Sequence, residues 1–317
     1  MSRKFCCGGP LRQRDDVVDG VQSCRGCIIG LVNAKPALGV LIFLLCLSSS
    51  WAHAGDVDTQ FIFGFTQGSD VGELREKEIE SETVGRFGKT DGSYAVLTSN
   101  LRAEFVPYEN VRLEVGAVVN YSSISGVSGL DDRSDVQFAG FALEGRYRLL
   151  DRRTAPVGLT ISAEPHWTRI EDTSGELVAG FGSEFVVAID KELVPNRIFA
   201  ALNLRYDPEW THVLADDIWL QQSTLGISGA VTAQVAEGVF FGIETHYVRA
   251  YDGITANMFL GDALFVGPTT YLRLSKAFAI SAALSVQVAG NAVSVPGSLN
   301  LVDFERLQAR LRFEYNF

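Results

Sequence analysis

The sequence predicts an all-β fold, a closed antiparallel up-and-down transmembrane β-barrel of about twelve strands. Three observations lead to this prediction. Apolar residues make up 47% of the 317-residue chain, yet no uncharged apolar run reaches the ~20 residues that a membrane-spanning helix needs. Beyond residue 55, apolar and polar residues alternate over many short segments, which is typical of strands with one face in an apolar medium and the other in water. The last segment, 307–317, alternates strictly and ends on an aromatic residue.

The first 54 residues have the features of an export leader. Lys35 precedes an apolar run at 37–47, and Ala52-His53-Ala54 is a small-x-small cleavage site. We expect a secretory signal peptide cleaved after Ala54, and a single barrel domain over 55–317. All five cysteines lie before residue 55, so the predicted barrel contains neither disulfides nor cysteine metal sites.

The first predicted strands come from the clearest alternations in the N-terminal third of the domain. Phe61, Phe63 and Phe65 share one face of a predicted first strand at 58–68, and the Glu-rich stretch 69–92 is expected to be a long loop. Strands at 93–106 and 111–121 follow, separated by a tight turn that contains Pro107. A fourth strand is predicted at 137–149 and a fifth at 157–166.

The remaining predicted strands show the same period of two. They occupy 177–189, 198–206, 218–235, 239–247, 262–274, 278–288 and 307–317. Connections alternate between long and short along the chain, as expected for a barrel with long external loops and short periplasmic turns. Closure requires the first strand to pair with the last, because no backbone group can stay unpaired in hydrocarbon. The prediction therefore places Phe61, Phe63 and Phe65 beside Phe313, Tyr315 and Phe317.

The aromatic C-terminal residue Phe317, with Phe313 and Tyr315 in step, resembles the closing strand of bacterial outer-membrane β-barrels. This resemblance implies localisation in the cell outer membrane, contact with its lipid and lipopolysaccharide, and recognition of Phe313, Tyr315 and Phe317 by the barrel-assembly machinery. The stretches 287–290 and 304–306 are similar to those of uncharacterised exported barrels of Gram-negative, alphaproteobacterial type. That similarity implies no activity.

Ionisable residues on the predicted inner faces are concentrated on four strands, towards the periplasmic ends. They are Arg102, Glu104, Arg112, Glu114, Glu144, Arg146, Arg148, Arg310, Arg312 and Glu314. One interpretation is a charged constriction that selects solutes. The other is a salt-bridged network that fills a narrow barrel, since twelve strands lie between packed barrels of ~8 strands and wide pores of ~16–18.

A second set of inward residues is predicted higher in the lumen: Glu164, His166, Glu184, Glu244 and His246. A metal site would require His166 and His246 to meet across the lumen, so we expect polar filling instead. No metal and no cofactor is predicted.

The sequence offers no enzyme motif. The barrel phospholipases use a His-x-Ser pair, whereas the histidines here read His166-Trp-Thr, His212-Val-Leu and His246-Tyr-Val. The chain has a net charge of −11, and the leader contributes +3 of it, which leaves −14 for 55–317. This balance argues against nucleic-acid binding.

The favoured interpretation is a passive channel or uptake barrel for small hydrophilic solutes, with a constriction of Arg and Glu. The alternative is a non-conducting structural or surface-interaction barrel with a plugged lumen and functional extracellular loops.

Overall fold

The computed structural model describes residues 57–317, which form one closed antiparallel β-barrel. The predicted leader, with Ala52 and Ala54, lies outside the described residues. Each of the twelve strands pairs with its neighbours in sequence, and β1 pairs with β12 to close the barrel. The predicted fold class is therefore confirmed. No helix within 57–317 is long and apolar enough to cross a membrane.

The strands have the following bounds: β1 Lys77–Phe87, β2 Ser93–Tyr108, β3 Val111–Ser125, β4 Arg133–Leu150, β5 Gly158–Ile170, β6 Leu177–Val194, β7 Ile198–Val213, β8 Ile218–Ala236, β9 Val239–Asp252, β10 Met258–Arg273, β11 Phe278–Ala292 and β12 Leu307–Asn316. We call the end of the barrel where β1 begins and β12 ends the terminal end, and the opposite end the loop end. The longest connection, 293–306, lies at the loop end.

The first strand differs from the prediction. Residues 58–68 form no strand, and β1 comes from the Glu-rich stretch that was expected to be a loop. Ile79 and Ser81, rather than Phe61 and Phe63, lie opposite Tyr315 and Phe313. The prediction was wrong because β1 alternates carboxylates with small residues, and its outer face carries little apolar surface.

The outer wall follows the alternation of the sequence. Large apolar side chains such as Leu101, Leu113 and Phe241 are exposed on the barrel surface, while the charged residues between them point inward. A bulge in β4 interrupts this order: Gly140 and Phe138 pair with the adjacent residues Val118 and Val119, which leaves Ala139 as an extra residue. As a result Ala139 is buried and Phe138 is exposed.

Residues 57–72, which we call the lumen segment, lie inside the barrel. Phe61, Ile62 and Phe63 are almost fully buried in an apolar cluster. The wall side of this cluster consists of Phe199, Ala201, Ala230, Phe240, Tyr271 and Ala279, from β7 to β11. Burial of each of the three large side chains favours the inserted position by roughly 1.5–3 kcal/mol.

A charge on the outer face of β1 tests whether this stretch spans the membrane. Thr83 lies in mid-strand opposite Leu311 and Ser99. We expect Thr83→Arg to lower the free energy of unfolding by about 2–4 kcal/mol in lipid vesicles, the cost of arginine near the bilayer midplane. Urea titration of the folded barrel measures this cost.

The matched control for that experiment is Thr83→Val, which keeps the shape of the side chain and gives up one hydrogen bond to Ser99. It should change the free energy of unfolding by less than about 1.5 kcal/mol. Equal free energies of unfolding for Thr83→Arg and Thr83→Val would contradict the placement of β1 in the membrane.

Candidate functional site

The lumen segment enters from the terminal end and returns to it as a hairpin. Gly68 N donates a hydrogen bond to Gln60 O (3.3 Å), and Thr59 N donates one to Asp70 Oδ2 (2.9 Å). The chain between these contacts, 61–67, reaches deeper into the lumen. After the hairpin, residues 73–76 connect the segment to β1.

A buried arginine in the β4–β5 turn holds the base of the hairpin. Arg152 Nη1 donates to Thr59 Oγ1 (2.7 Å) and to the carboxylate of Asp70, and Arg152 Nη2 donates to Val57 O. Burial disfavours the charged guanidinium, but the carboxylates of Asp70 and Asp190 outweigh it and raise the pKa of Arg152. Arg152 is therefore charged at any physiological pH.

Asp190 of β6 contacts both arms of the hairpin. Its carboxylate accepts hydrogen bonds from Ser69 N (3.0 Å), from Ser69 Oγ (2.6 Å) and from the Thr59 hydroxyl. Arg152 Nη1 lies 3.7 Å from Asp190 Oδ2. The base of the hairpin is thus held by a buried arginine between two carboxylates.

Higher in the lumen, polar wall side chains bind the backbone of the segment on one side. Asn203 of β7 accepts a hydrogen bond from Gln67 N (2.7 Å) and donates one to Gln67 O (2.8 Å). Arg146 of β4 donates to Gln67 Oε1 (3.0 Å) and to Gly68 O (2.9 Å).

Other strands bind the tip of the segment. Glu244 of β9 accepts hydrogen bonds from Phe65 N (3.0 Å) and Thr66 N (3.1 Å), and Arg310 of β12 donates to Gly64 O (2.6 Å). These contacts come from strands on several sides of the barrel, with β4 and β12 four positions apart in the order around it, so the segment extends across the lumen.

Gly64 lets the tip approach the wall closely. A Cβ atom at this position would lie 2.3 Å from Glu244 Oε1 and 2.7 Å from Thr269 Cγ2, which is closer than non-bonded atoms approach. A side chain here would therefore force Glu244 and Thr269 to shift away from the tip of the segment.

The charged side chains of β1, β2, β3, β5 and β12 form a connected set of ion pairs, which we call the charged network. Arg312 Nε lies 3.3 Å from Glu80 Oε2, and Arg312 Nη2 lies 2.5 Å from Glu82 Oε2. Arg112 pairs with Glu104 (3.3 Å) and Glu114, and Arg102 pairs with Glu164 (3.0 Å) and approaches Glu80 and Glu114 within 3.9 Å. Arg310 also pairs with Glu82.

Phe61 connects the lumen segment to this network. The guanidinium of Arg312 lies 4.1 Å from the centre of the Phe61 ring, and that of Arg112 lies 5.5 Å from it. Both contacts are cation–π interactions in a buried site.

The predicted lumen residues can now be placed. Arg102, Glu104, Arg112, Glu114, Glu144, Arg146, Arg148, Arg310, Arg312 and Glu314 all face the interior of the barrel, and all but Arg102 are buried. The structure brings most of them into the charged network. Arg146 instead binds the lumen segment, and Arg148 binds Asn110 Oδ1 (3.2 Å) and Glu109 O (2.9 Å) in the β2–β3 turn.

The five residues predicted higher in the lumen also face inward but do not form one site. Glu164 pairs with Arg102, and Glu184 pairs with Arg205 (3.1 Å). His246 Nε2 is hydrogen bonded to Gln308 Oε1 (2.8 Å), whereas His166 Nδ1 contacts Glu164 O (3.2 Å) on its own strand. The two histidines therefore have separate partners.

The loop end has contacts of its own. Arg86 pairs with Asp172 in the β5–β6 connection (2.8 Å), and Tyr94 donates a hydrogen bond to Thr173 O (3.0 Å). The guanidinium of Arg86 holds the pKa of the Asp172 carboxyl below its ordinary value, so the pair persists until the pH falls well into the acidic range.

Sequence reasoning missed the residues that hold the lumen segment, namely Thr59, Gln67, Ser69, Asp70, Arg152, Asp190 and Asn203. No local pattern distinguishes them, because their partners lie 80 or more residues away in most cases. The Arg152-Arg153 pair in a short turn was the one available signal.

Removal of Arg152 tests whether it anchors the segment. Asp190 would remain buried without its cation, and Asp70 would keep only Arg148, whose Nη1 lies 3.7 Å from Asp70 Oδ1. Breaking a buried ion pair in this way typically costs about 3–5 kcal/mol. In a background that carries Ile62→Cys as a reporter, we expect Arg152→Ala to increase the rate of labelling by a water-soluble maleimide at least tenfold.

The matched control is the neighbouring Arg153→Ala, because Arg153 is exposed and pairs only with Asp151 (2.9 Å) in the described structure. It should leave the labelling rate unchanged. Equal labelling of both variants would show that Arg152 does not hold the segment in place.

Comparisons with known proteins agree with the architecture. The crystal structure of the COG4313 outer membrane channel from Pseudomonas putida F1 is similar at a TM-score of 0.58 and 13% identity, over 78% of this chain and 98% of that chain. The NanC porin matches at a TM-score of 0.44 and 11% identity, over 75% of this chain and 100% of that one. The KdgM porin matches at a TM-score of 0.40 and 10% identity, over 76% of this chain and 99% of that one.

The similarity to the COG4313 channel, with a TM-score of 0.58 at 13% identity, shows a shared fold. No curated protein matches the chain significantly. The model of a protein family described as a family of unknown function, DUF6662, matches residues 56–317, which is the whole of the barrel and the lumen segment. The chain therefore belongs to the DUF6662 family.

Proposed function

We propose that the protein is an outer-membrane channel for small hydrophilic solutes and that the lumen segment holds it closed. The observation that carries this proposal is the chemistry of the contacts around the segment. Asn203, Arg146, Glu244 and Arg310 bind its backbone through polar groups. Water can replace each of these contacts, so the inner wall stays hydrated and polar when the segment leaves.

The size of the barrel supports the same proposal. A twelve-stranded barrel has a wider interior than the ~8-stranded barrels that side chains alone can fill. Here the interior holds a whole hairpin, 57–72, in addition to the wall side chains. Departure of the hairpin would open a passage of corresponding width.

The charged network would then line the passage and act on passing ions. Its arginines and glutamates are held rigidly by ion pairs, as in pores that select solutes by rings of charge. The proposed filter shares six residues with the constriction predicted from the sequence, namely Arg102, Glu104, Arg112, Glu114, Arg310 and Arg312, and it adds Glu80, Glu82 and Glu164.

The proposal includes a location and partners. The leader 1–54 would direct export, with cleavage after Ala54, and the terminal end would face the periplasm. Phe313, Tyr315 and Phe317 lie on the outer face of the C-terminal strand, where they can contact lipid and the assembly machinery. The loop end would face lipopolysaccharide. The proposed role involves no catalysis.

A non-conducting structural barrel is the second candidate. The observation in its favour is the apolar cluster around Phe61, Ile62 and Phe63, which favours a permanently inserted segment. In that case the wall and the segment would form one core, and any function would belong to the loops at the loop end.

Planar-bilayer recording distinguishes the two candidates. We expect the mature chain to be closed for most of the time, with discrete openings, and Arg152→Ala to increase the open fraction at least tenfold. A chain that lacks 57–70 should conduct steadily. Arg153→Ala is the control and should match the mature chain.

The contrary outcome is silence of the truncated chain at all voltages although it folds, as judged by its heat-modifiable migration on gels. That result would favour the structural barrel. The channel would be favoured if the truncated chain and Arg152→Ala both conduct while Arg153→Ala behaves as the mature chain does.

The selectivity of the open passage gives a further test. In the truncated chain, we expect Arg112→Ala combined with Arg312→Ala to shift selectivity towards cations, because two positive charges leave a network rich in carboxylates. The reversal potential in a salt gradient measures the shift. An unchanged reversal potential would mean that the charged network does not act as the filter.

A further inference from the structure

The charged network carries more negative than positive groups. Its ion pairs join five carboxylates, of Glu80, Glu82, Glu104, Glu114 and Glu164, to four guanidinium groups, of Arg102, Arg112, Arg310 and Arg312. Glu78 and Glu314 lie beside it, and neither forms an ion pair within 4 Å in the described structure. Seven carboxylates against four cations leave a net charge of −3.

The excess is concentrated at one place at the terminal end. Carboxylate oxygens of Glu78, Glu80 and Glu104 all lie within 4.8 Å of one another, and all three residues are buried. Glu78 and Glu80 follow each other along the inner face of β1, and Glu104 is the β2 partner of Glu78. Arg312 pairs with Glu80 and Arg112 pairs with Glu104, but Glu78 forms no ion pair within 4 Å in the described structure, so the three carboxylates keep an excess of negative charge that a further cation or a proton would neutralise.

A second observation points to a missing positive partner at the same place. Glu314 of β12 is 4% exposed, and its Oε1 atom has no hydrogen-bond partner among the described residues. One oxygen each of Glu78, Glu80 and Glu104 is also buried and without a hydrogen bond. Buried polar atoms in native structures nearly always have a partner, so four such oxygens together indicate a ligand.

The space beside these oxygens has room for an ion and its water. A cavity of about 240 Å³ lies at the terminal end and is lined by Glu78, Glu104 and Glu314, together with Asp58 and Gln60 of the lumen segment. Arg112, Arg273 and Lys276 also line this cavity. At roughly 30 Å³ per water molecule, this volume accommodates several waters in addition to a cation.

We propose that Glu78, Glu80 and Glu104 bind a Ca²⁺ ion at the terminal end of the barrel, with Glu314 and water completing its coordination. Calcium takes 6–8 oxygen ligands at about 2.3–2.6 Å, so opposite ligands lie up to about 5 Å apart. Magnesium requires about 2.0–2.1 Å and opposite ligands about 4 Å apart. The three oxygens lie within 4.8 Å of one another, inside the span that calcium ligands cover, and a set of three or four carboxylates exceeds the one or two that magnesium usually takes.

The ion would stabilise the closure of the barrel. Glu78 and Glu80 are on β1, Glu104 is on β2 and Glu314 is on β12, so the site connects the first strand to both of its neighbours. This inference does not depend on conduction, and it holds for a channel and for a structural barrel alike.

Calorimetric titration of Ca²⁺ into the mature chain tests the proposal, in detergent free of lipopolysaccharide and at pH 7.5. We expect one Ca²⁺ per chain, at least tenfold weaker binding of Mg²⁺, and a melting temperature that rises with Ca²⁺ concentration. Glu78→Gln and Glu104→Gln should each weaken Ca²⁺ binding at least tenfold. Glu237→Gln, an exposed carboxylate in the β8–β9 turn, should bind as the unchanged chain does.

Two results would overturn the proposal. If the unchanged chain shows no saturable Ca²⁺ binding and Glu78→Gln is more stable than the unchanged chain, then protons, and not Ca²⁺, neutralise the carboxylates. Equal binding by all three variants would place the ion elsewhere on the acidic surface. If Glu78→Gln does not fold, the titration of the unchanged chain and of Glu104→Gln still decides the matter.

Discussion

The backbone pairing of β1 with β12 is the contact on which the rest of the structure depends. A sheet edge in hydrocarbon would leave a row of unpaired donors and acceptors, so the barrel has to close. Closure fixes the register, with Glu80 beside Glu314 and Glu82 beside Arg312. Because successive side chains alternate between the two faces, this register turns all the glutamates of β1 inward. The charged network is a consequence of how the barrel closes.

The interior that results has two different sides. The wall of β7 to β11 presents Phe199, Phe240 and Tyr271 near the terminal end, whereas β1 to β3 and β12 present arginines and glutamates. The lumen segment lies between them. Its Phe61 contacts both sides, since it belongs to the apolar cluster and also faces the guanidinium of Arg312. A segment with this composition fits the lumen in one orientation.

Burial of apolar side chains and hydration of polar groups have opposite effects on the insertion of the lumen segment. The apolar contacts of Phe61, Ile62 and Phe63 favour insertion, while the polar groups of the wall would be solvated equally well by water. The Arg152 site resists release more strongly, because its carboxylates need their cation as long as they stay buried. The balance between a permanent plug and a gate therefore rests on a small number of contacts at the terminal end.

The sequence by itself determined eleven of the strands and the inward direction of residues such as Arg102, Glu114 and Arg310. In a membrane barrel, a period of two arises because lipid-facing and lumen-facing side chains alternate, and this pattern can be recognised from a short stretch of sequence. The tertiary structure alone decided which stretch is the first strand. Phe61, Phe63 and Phe65 alternate as a lipid-facing strand would, yet they lie in the lumen, whereas Glu78, Glu80 and Glu82 alternate within β1. Both patterns have the same period, and the choice between them depends on the closed barrel. The barrel supplies an apolar cluster for Phe61 and Phe63, and arginines from distant strands for the glutamates.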